Sequence, residues 1–404
     1  MSFPACRHAK SRPPRAAGRV LTWLAEEPFR VFFLSGILFS IAGVALWPLF
    51  YAGWMDFHPG ISHARVMIEC FGGAFVIGFL GTAGPRILAA PRLTPWELAG
   101  LFLLHFGVGV GHLRAFTLWG DRLFLALLAG FCAALGARLI FLRRNLPPPP
   151  LLLAGTGLLC GIAGTALWLH PASQTSASLH RFAGLLLYQG FLLGPIMGVG
   201  VFLFPRLLGG DFGEPAPGPA TRRAWLQTLL AAAALLASFG VEVWVDQRAG
   251  QLLRAAAFVL ALAQVRWHRA PDAPPPGALA SALRAWCLPL ALLGLVAPAF
   301  AYSRHVALDH LLFIGGFGLL CVIVASRVLF GHSGDLPGFA RQSWIARSIV
   351  FLIVLAALTR ASADFKASIQ ISHYQYAAWS WIIAALAWAL WHARRFFQAD
   401  QSPD

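Results

Sequence analysis

Apolar stretches of roughly twenty residues recur along the chain, each stopped by charges, proline or glycine. A bilayer's hydrocarbon core takes about 20 helical residues, so each such stretch reads as a membrane-spanning helix. They lie at 31–53, 62–84, 96–113, 123–142, 150–169, 179–204, 223–244, 250–267, 280–301, 306–330, 344–361 and 373–393. The pattern predicts an all-α polytopic integral membrane protein of about twelve transmembrane helices. Connections are short, and the Pro-rich "NLPPPP" (145–150) and "GGDFGEPAPGPATRR" (209–223) are the clearest linkers. No stretch between spans is long enough for a soluble domain. The expected organisation is a basic tail over 1–29, a transmembrane domain over 30–394 and a short tail over 395–404. The N-terminal "MSFPACRHAKSRPPRAAGRVLTWLAEEPFR" lacks an apolar run of signal-peptide length. Leu21, Trp23, Leu24 and Phe29 suit the headgroup boundary.

Composition agrees with the pattern. The chain is 58% hydrophobic and 12% charged, about half the charged fraction of a soluble domain, roughly 25%. Its net charge of +15 is better explained by cytoplasmic loops than by nucleic acid, which is not an expected partner. With the N-terminus inside, 19 Lys and Arg fall in inner loops and tails against 6 in outer loops. That asymmetry predicts both termini in the cytoplasm of a multi-pass protein of the cell's inner (cytoplasmic) membrane, with the lipid bilayer as its constant partner. The six cysteines form no Cys-x-x-Cys pair and no Cys-x-x-Cys-His haem-attachment run, and five of them lie in apolar stretches as buried thiols.

Histidine runs against the basic residues. His58, His63, His112, His170, His180, His305, His310 and His373, eight of thirteen, fall at outer helix ends or outer loops. Imidazole is the commonest metal-ligating side chain, so this crowding is a functional signal. Three of the spans look alike: "HARVMIECFGGAFVIGFLGTAGPR" (63–86), "HRFAGLLLYQGFLLGPIMGVGVFLFPR" (180–206) and "HVALDHLLFIGGFGLLCVIVASR" (305–327). Each starts with histidine, is glycine-rich through the middle and ends in arginine. They are spans 2, 6 and 10, and the interval of four hints at a repeated four-helix unit. Gly190, Gly194 and Gly198 give one flat helical face, suited to close helix packing or to a planar cofactor.

Charges inside these spans need a partner or a role. Arg65 and Glu69, four apart, share a face and can pair, or each can reach a neighbour. Asp309 stands four residues after His305, within reach of its ring, where a carboxylate would fix the tautomer of a ligating imidazole. Tyr188 lies two turns beyond His180 on nearly the same face, either packed or donating into a site. Glu242 suits a proton relay or a snorkelling carboxylate. No phosphate-binding loop, nucleophile elbow or zinc-protease helix is present.

Three stretches resemble the NnrS family, haem- and copper-containing membrane proteins linked to nitric-oxide metabolism. "FRVFFLSGILFSIAGVALW" (29–47) is similar to its Phe-Arg-Pro-Phe-Phe start, with Val31 in place of the proline. "HARVM…GFLGTAGPR" (63–86) resembles its His-Ala-His-Glu-Met helix, with His63 matching the first histidine but Arg65 and Val66 standing where the second histidine and the glutamate do. "DHLLFIGGFGLLCVIVASRVLFGHSG" (309–334) matches its last motif at His310, Arg327, Gly331, His332 and Gly334. The resemblance implies a twelve-span fold with histidine-ligated metals. It points to a non-covalent haem b, and to copper as a second metal that the change at Arg65 puts in question. His63 and His310 are the expected ligands, with His180, His305 and His373 in reserve. Asp309, Arg65, Glu69, Tyr188, Arg327 and His332 are supporting residues. Nitric oxide or a related small redox ligand is the implied partner. Histidines on spans 2 and 10 also resemble the haem ligands of haem–copper oxidases, but "LLAAAALLASFGVEVW" (229–244) lacks the copper-site histidines of their span 7. The other function class is a non-redox transporter whose histidines line a proton or solute path.

Overall fold

The computed structural model describes residues 17–209, 219–267 and 275–400. Most of the N-terminal tail, the centre of the 209–223 linker and the last residues therefore lie outside the described residues. Among those described there is no strand. A short helix, α1 (Ala17–Glu26), leads into α2 (Phe29–Tyr51), α3 (Gly60–Ile87), α4 (Pro95–Leu113), α5 (Thr117–Leu142), α6 (Leu151–Leu169) and α7 (Ala177–Leu207). They are followed by α8 (Thr221–Trp244), α9 (Gln247–Leu262), α10 (Ala278–Ala299), α11 (Tyr302–His332), α12 (Trp344–Phe365) and α13 (Gln370–His392).

Ten of these are long and apolar enough to cross a membrane. The other two expected spans correspond to α9, only 16 residues long, and to α13, a 23-residue helix diluted by Gln, Ser, Tyr and Trp. Helix starts follow local chemistry. At α4, Thr94 Oγ1 accepts from the Glu97 amide (3.2 Å) while Glu97 accepts from the Thr94 amide (2.7 Å), with Pro95 as the first helical residue.

The four-span interval seen in the sequence is an architectural repeat. Within each unit the second helix packs on the first (α3 on α2, α7 on α6, α11 on α10), and the third pairs with the fourth (α4 with α5, α8 with α9, α12 with α13). Contacts of α5 with α6, α9 with α10 and α13 with α2 close the three units into a ring. The second helices form its centre. They are 83, 78 and 67% buried, more than any other span. Each contains a π-helical segment on the inner side of its histidine turn, at Val66–Gly72, Leu186–Gly190 and Leu311–Gly318. Such wide turns shift side-chain register and concentrate at functional sites.

The glycine face of α7 is a packing face. A Cβ on Gly194 would lie 2.5 Å from Gly157 Cα, and one on Gly198 would lie 2.6 Å from the Pro150 carbonyl oxygen, so α6 and α7 touch backbone to backbone. Gly72, Gly73, Gly315 and Gly316 likewise abut Leu192, Phe124, Leu290 and Ala291. At the arginine end of the central helices, His332 meets Glu27 (2.6 Å), Asp400 (3.1 Å) and Arg86 (3.3 Å). The two ends of the described chain thus lie at the same end of the bundle.

Candidate functional site

The central helices enclose a cavity of about 1300 Å³. His58, His63, His180, His305 and His310 line it, together with Asp309, Arg181, Arg360, Tyr188 and Trp168. Further along, the wall is apolar: Phe75, Phe79, Leu80, Leu203, Phe204 and Val324. On α3 the lining runs from Gly60 to Leu80, about 30 Å at 1.5 Å per residue.

Hydrogen bonds fix what each imidazole can offer. His63 Nδ1 lies 3.0 Å from the Gly43 carbonyl oxygen and His310 Nδ1 lies 2.6 Å from that of Val306. A carbonyl only accepts, so Nδ1 carries the proton in both rings and Nε2 keeps its lone pair. The Gly43 carbonyl is within reach because α2 and α3 touch there; a Cβ on Gly43 would lie 2.6 Å from Val66. His305 is held the same way, with Nδ1 2.9 Å from the Tyr302 carbonyl and its ring stacked on Tyr302. His180 is the opposite tautomer. Trp168 Nε1–H donates to its Nδ1 (3.0 Å), which leaves the proton on Nε2. His58 likewise accepts at Nδ1 from the Gly60 amide (3.2 Å).

Other expected residues fall elsewhere. His373 bonds Ser362 Oγ (2.9 Å) and is not part of the cavity lining. Asp309 lines the cavity but makes no hydrogen bond to His305, whose Nδ1 is taken by Tyr302. His332 belongs to the Glu27 cluster at the arginine end, and Arg327 lies beside Gly331 near that end. Glu242 is buried and accepts from both Arg181 and Arg254, so it anchors an ion-pair network; Arg254 also donates to Gln189 Oε1 (2.6 Å).

The charges on α3 form a second buried centre beside the cavity. Arg65 lies 3.3 Å from Glu69, the pairing expected from their spacing. Its stronger partner is Asp121 of α5, which accepts from Nε at 2.6 Å and Nη2 at 3.2 Å. The same guanidinium donates to Tyr188 Oη (2.6 Å) and lies 3.6 Å from the centroid of the Trp168 ring. Glu69 in turn bonds His112 Nε2 (2.8 Å). Tyr188 therefore has its oxygen engaged by Arg65 while its O–H remains available at the cavity wall. Asp121 and Arg254 escaped the sequence reading although each is an ionisable residue within or at the edge of an apolar run, the available signal.

The family model described as NnrS protein matches residues 23–399, nearly the whole chain. No curated protein matches the sequence.

Proposed function

The chain belongs to the NnrS family, and from that footing we propose that it binds a non-covalent haem b in the central cavity, which His63 and His310 would hold, and acts in the response to nitric oxide or a related redox stress. The observation that carries this reading is the tautomer pair. Two imidazoles from different central helices line one cavity, each with Nδ1–H held by a backbone carbonyl and Nε2 unengaged. A backbone or carboxylate partner on the far ring nitrogen is the usual way a ligating histidine is oriented and made more basic. Bound there and held by both histidines, haem would supply an iron able to exchange electrons, and to take a small gaseous ligand only where one of the two imidazoles gives way. Arg181 and Arg360 line the cavity and offer cationic partners for its carboxylates. Tyr188, its oxygen held by Arg65, has an O–H to donate to a ligand in the cavity.

The donor set fits copper less well. Once His63 and His310 are assigned, His305 is the one remaining histidine of the described cavity lining whose Nε2 is left bare; His180 and His58 accept at Nδ1 and hold the proton on Nε2, and the lining thiol of Cys321 stands 16 positions beyond His305 on α11, about 24 Å away. Copper sites draw on several imidazole or thiolate donors. This proposal therefore includes haem and no cavity copper.

The length of the cavity along α3 supports a second reading, a non-redox path for a proton or solute. Absorbance of the purified protein separates the two. Haem binding requires a Soret band with reducible α and β bands, and His63→Ala and His310→Ala should each abolish the low-spin spectrum while His180→Ala and His332→Ala retain it. A colourless protein, or a spectrum unchanged in both His63→Ala and His310→Ala, overturns the proposal.

A further inference from the structure

Glu69, His112 and Asp121 each present a metal-ligating atom, and these atoms lie within 4.8 Å of one another in the protein interior. Glu69 and His112 are fully buried and Asp121 is 7% exposed. What faces them is the guanidinium of Arg65. We infer that this is a metal-type site whose resident cation is Arg65, and that residue 65 alone decides its occupant: with histidine there, the site takes a tetrahedral divalent cation of the zinc class.

Geometry supports the exchange. A tetrahedral ion with ligands at about 2.0–2.1 Å sets its donor atoms about 3.3 Å apart. Here His112 Nε2 is 2.8 Å from Glu69 Oε2 and 3.9 Å from Asp121 Oδ1, while Arg65 Nε is 3.3 Å from Glu69 Oε1 and 2.6 Å from Asp121 Oδ1. These separations bracket the tetrahedral edge. Arginine Nε and histidine Nε2 stand the same number of bonds from Cα, so an imidazole at 65 reaches the corner that Nε now holds.

Charge and hydrogen bonding point the same way. One guanidinium faces two carboxylates, whereas a divalent ion would balance them. Glu69 Oε1, aimed at Arg65 Nε, makes no hydrogen bond despite its burial. Buried polar atoms are almost always paired, so this donor set exceeds what a guanidinium can engage. The centre stands behind Tyr188 rather than among His63 and His310, and the inference is independent of haem.

The test uses the full-length protein in detergent, stripped with a chelating resin and titrated with Co²⁺, with metal counted and the visible d–d absorption recorded. Arg65→His should hold one Co²⁺ more than wild type, with the intense bands of a tetrahedral site. Wild type, Arg65→Lys and the double variant Arg65→His/His112→Ala should not. If Arg65→His accumulates poorly, zinc in the growth medium should restore its yield. The inference is overturned if wild type itself holds an ion that His112→Ala removes, if folded Arg65→His takes no more metal than wild type, or if zinc fails to rescue its yield.

Discussion

Removing each member of the Arg65 centre should cost stability in a fixed order. Asp121 gives Arg65 two charge-assisted hydrogen bonds, at 2.6 and 3.2 Å, whereas Glu69 approaches it once at 3.3 Å. Deleting one partner of a buried ion pair costs about 3–5 kcal/mol because the other charge stays uncompensated. In Asp121→Asn, Glu69 remains as a counter-charge, which places the loss near about 3 kcal/mol. In Glu69→Gln, Arg65 keeps its two bonds to Asp121 and the His112 bond loses its charged acceptor, so the loss is at most that of one hydrogen bond to a charged group, about 1.5 kcal/mol. Arg65→Met strands two buried carboxylates and should cost about 5 kcal/mol or more. The span from Glu69→Gln to Arg65→Met is then about 3.5 kcal/mol, several hundredfold in the folding equilibrium. Equilibrium unfolding in mixed micelles, followed by tryptophan fluorescence, measures each loss. An Arg65→Met protein as stable as wild type, or a Glu69→Gln loss exceeding that of Asp121→Asn, would refute the reasoning. Glu69→Gln should also leave any haem spectrum unchanged; a normal yield with an altered spectrum would assign Glu69 to the cavity site.

Gly194→Leu should lower stability by at least about 1–3 kcal/mol, because the first added carbon already meets Gly157 Cα at 2.5 Å, whereas Gly100→Ala, with nothing within 4 Å, should show no loss in the same unfolding assay. Glu242→Gln should cost about 3–5 kcal/mol, since Arg254 is 2% exposed and Glu242 is its anionic partner; a neutral result would mean that the hydrogen bonds Arg254 donates to Gln189 Oε1 (2.6 Å) and Ser238 Oγ (3.3 Å) suffice. Reporter fusions after residues 56 and 214 should report opposite sides of the membrane, and the same side for both would overturn the expected topology.

The spacing of apolar runs was enough to specify an all-helical membrane fold, because a segment in lipid must satisfy its backbone within itself and bury apolar side chains all round. The recurrence of His63, His180 and His305 every fourth span was likewise legible, and it marked the three helices that become the ring's centre. The Arg65–Glu69 contact followed from a local period, though the π turn beginning at Val66 redirects the faces that a uniform 100° step assigns. Residue partners far apart in sequence were not legible. That Asp121, 56 positions away, would hold Arg65, or that Trp168 would claim Nδ1 of His180 while Gly43 accepts from His63, depends on how the helices rotate and approach. A sequence states which side chains carry lone pairs and charges. Only the packed bundle decides which of them are satisfied by neighbours and which remain free to act, since that choice rests on contacts of a few ångströms between helices whose register no local pattern fixes.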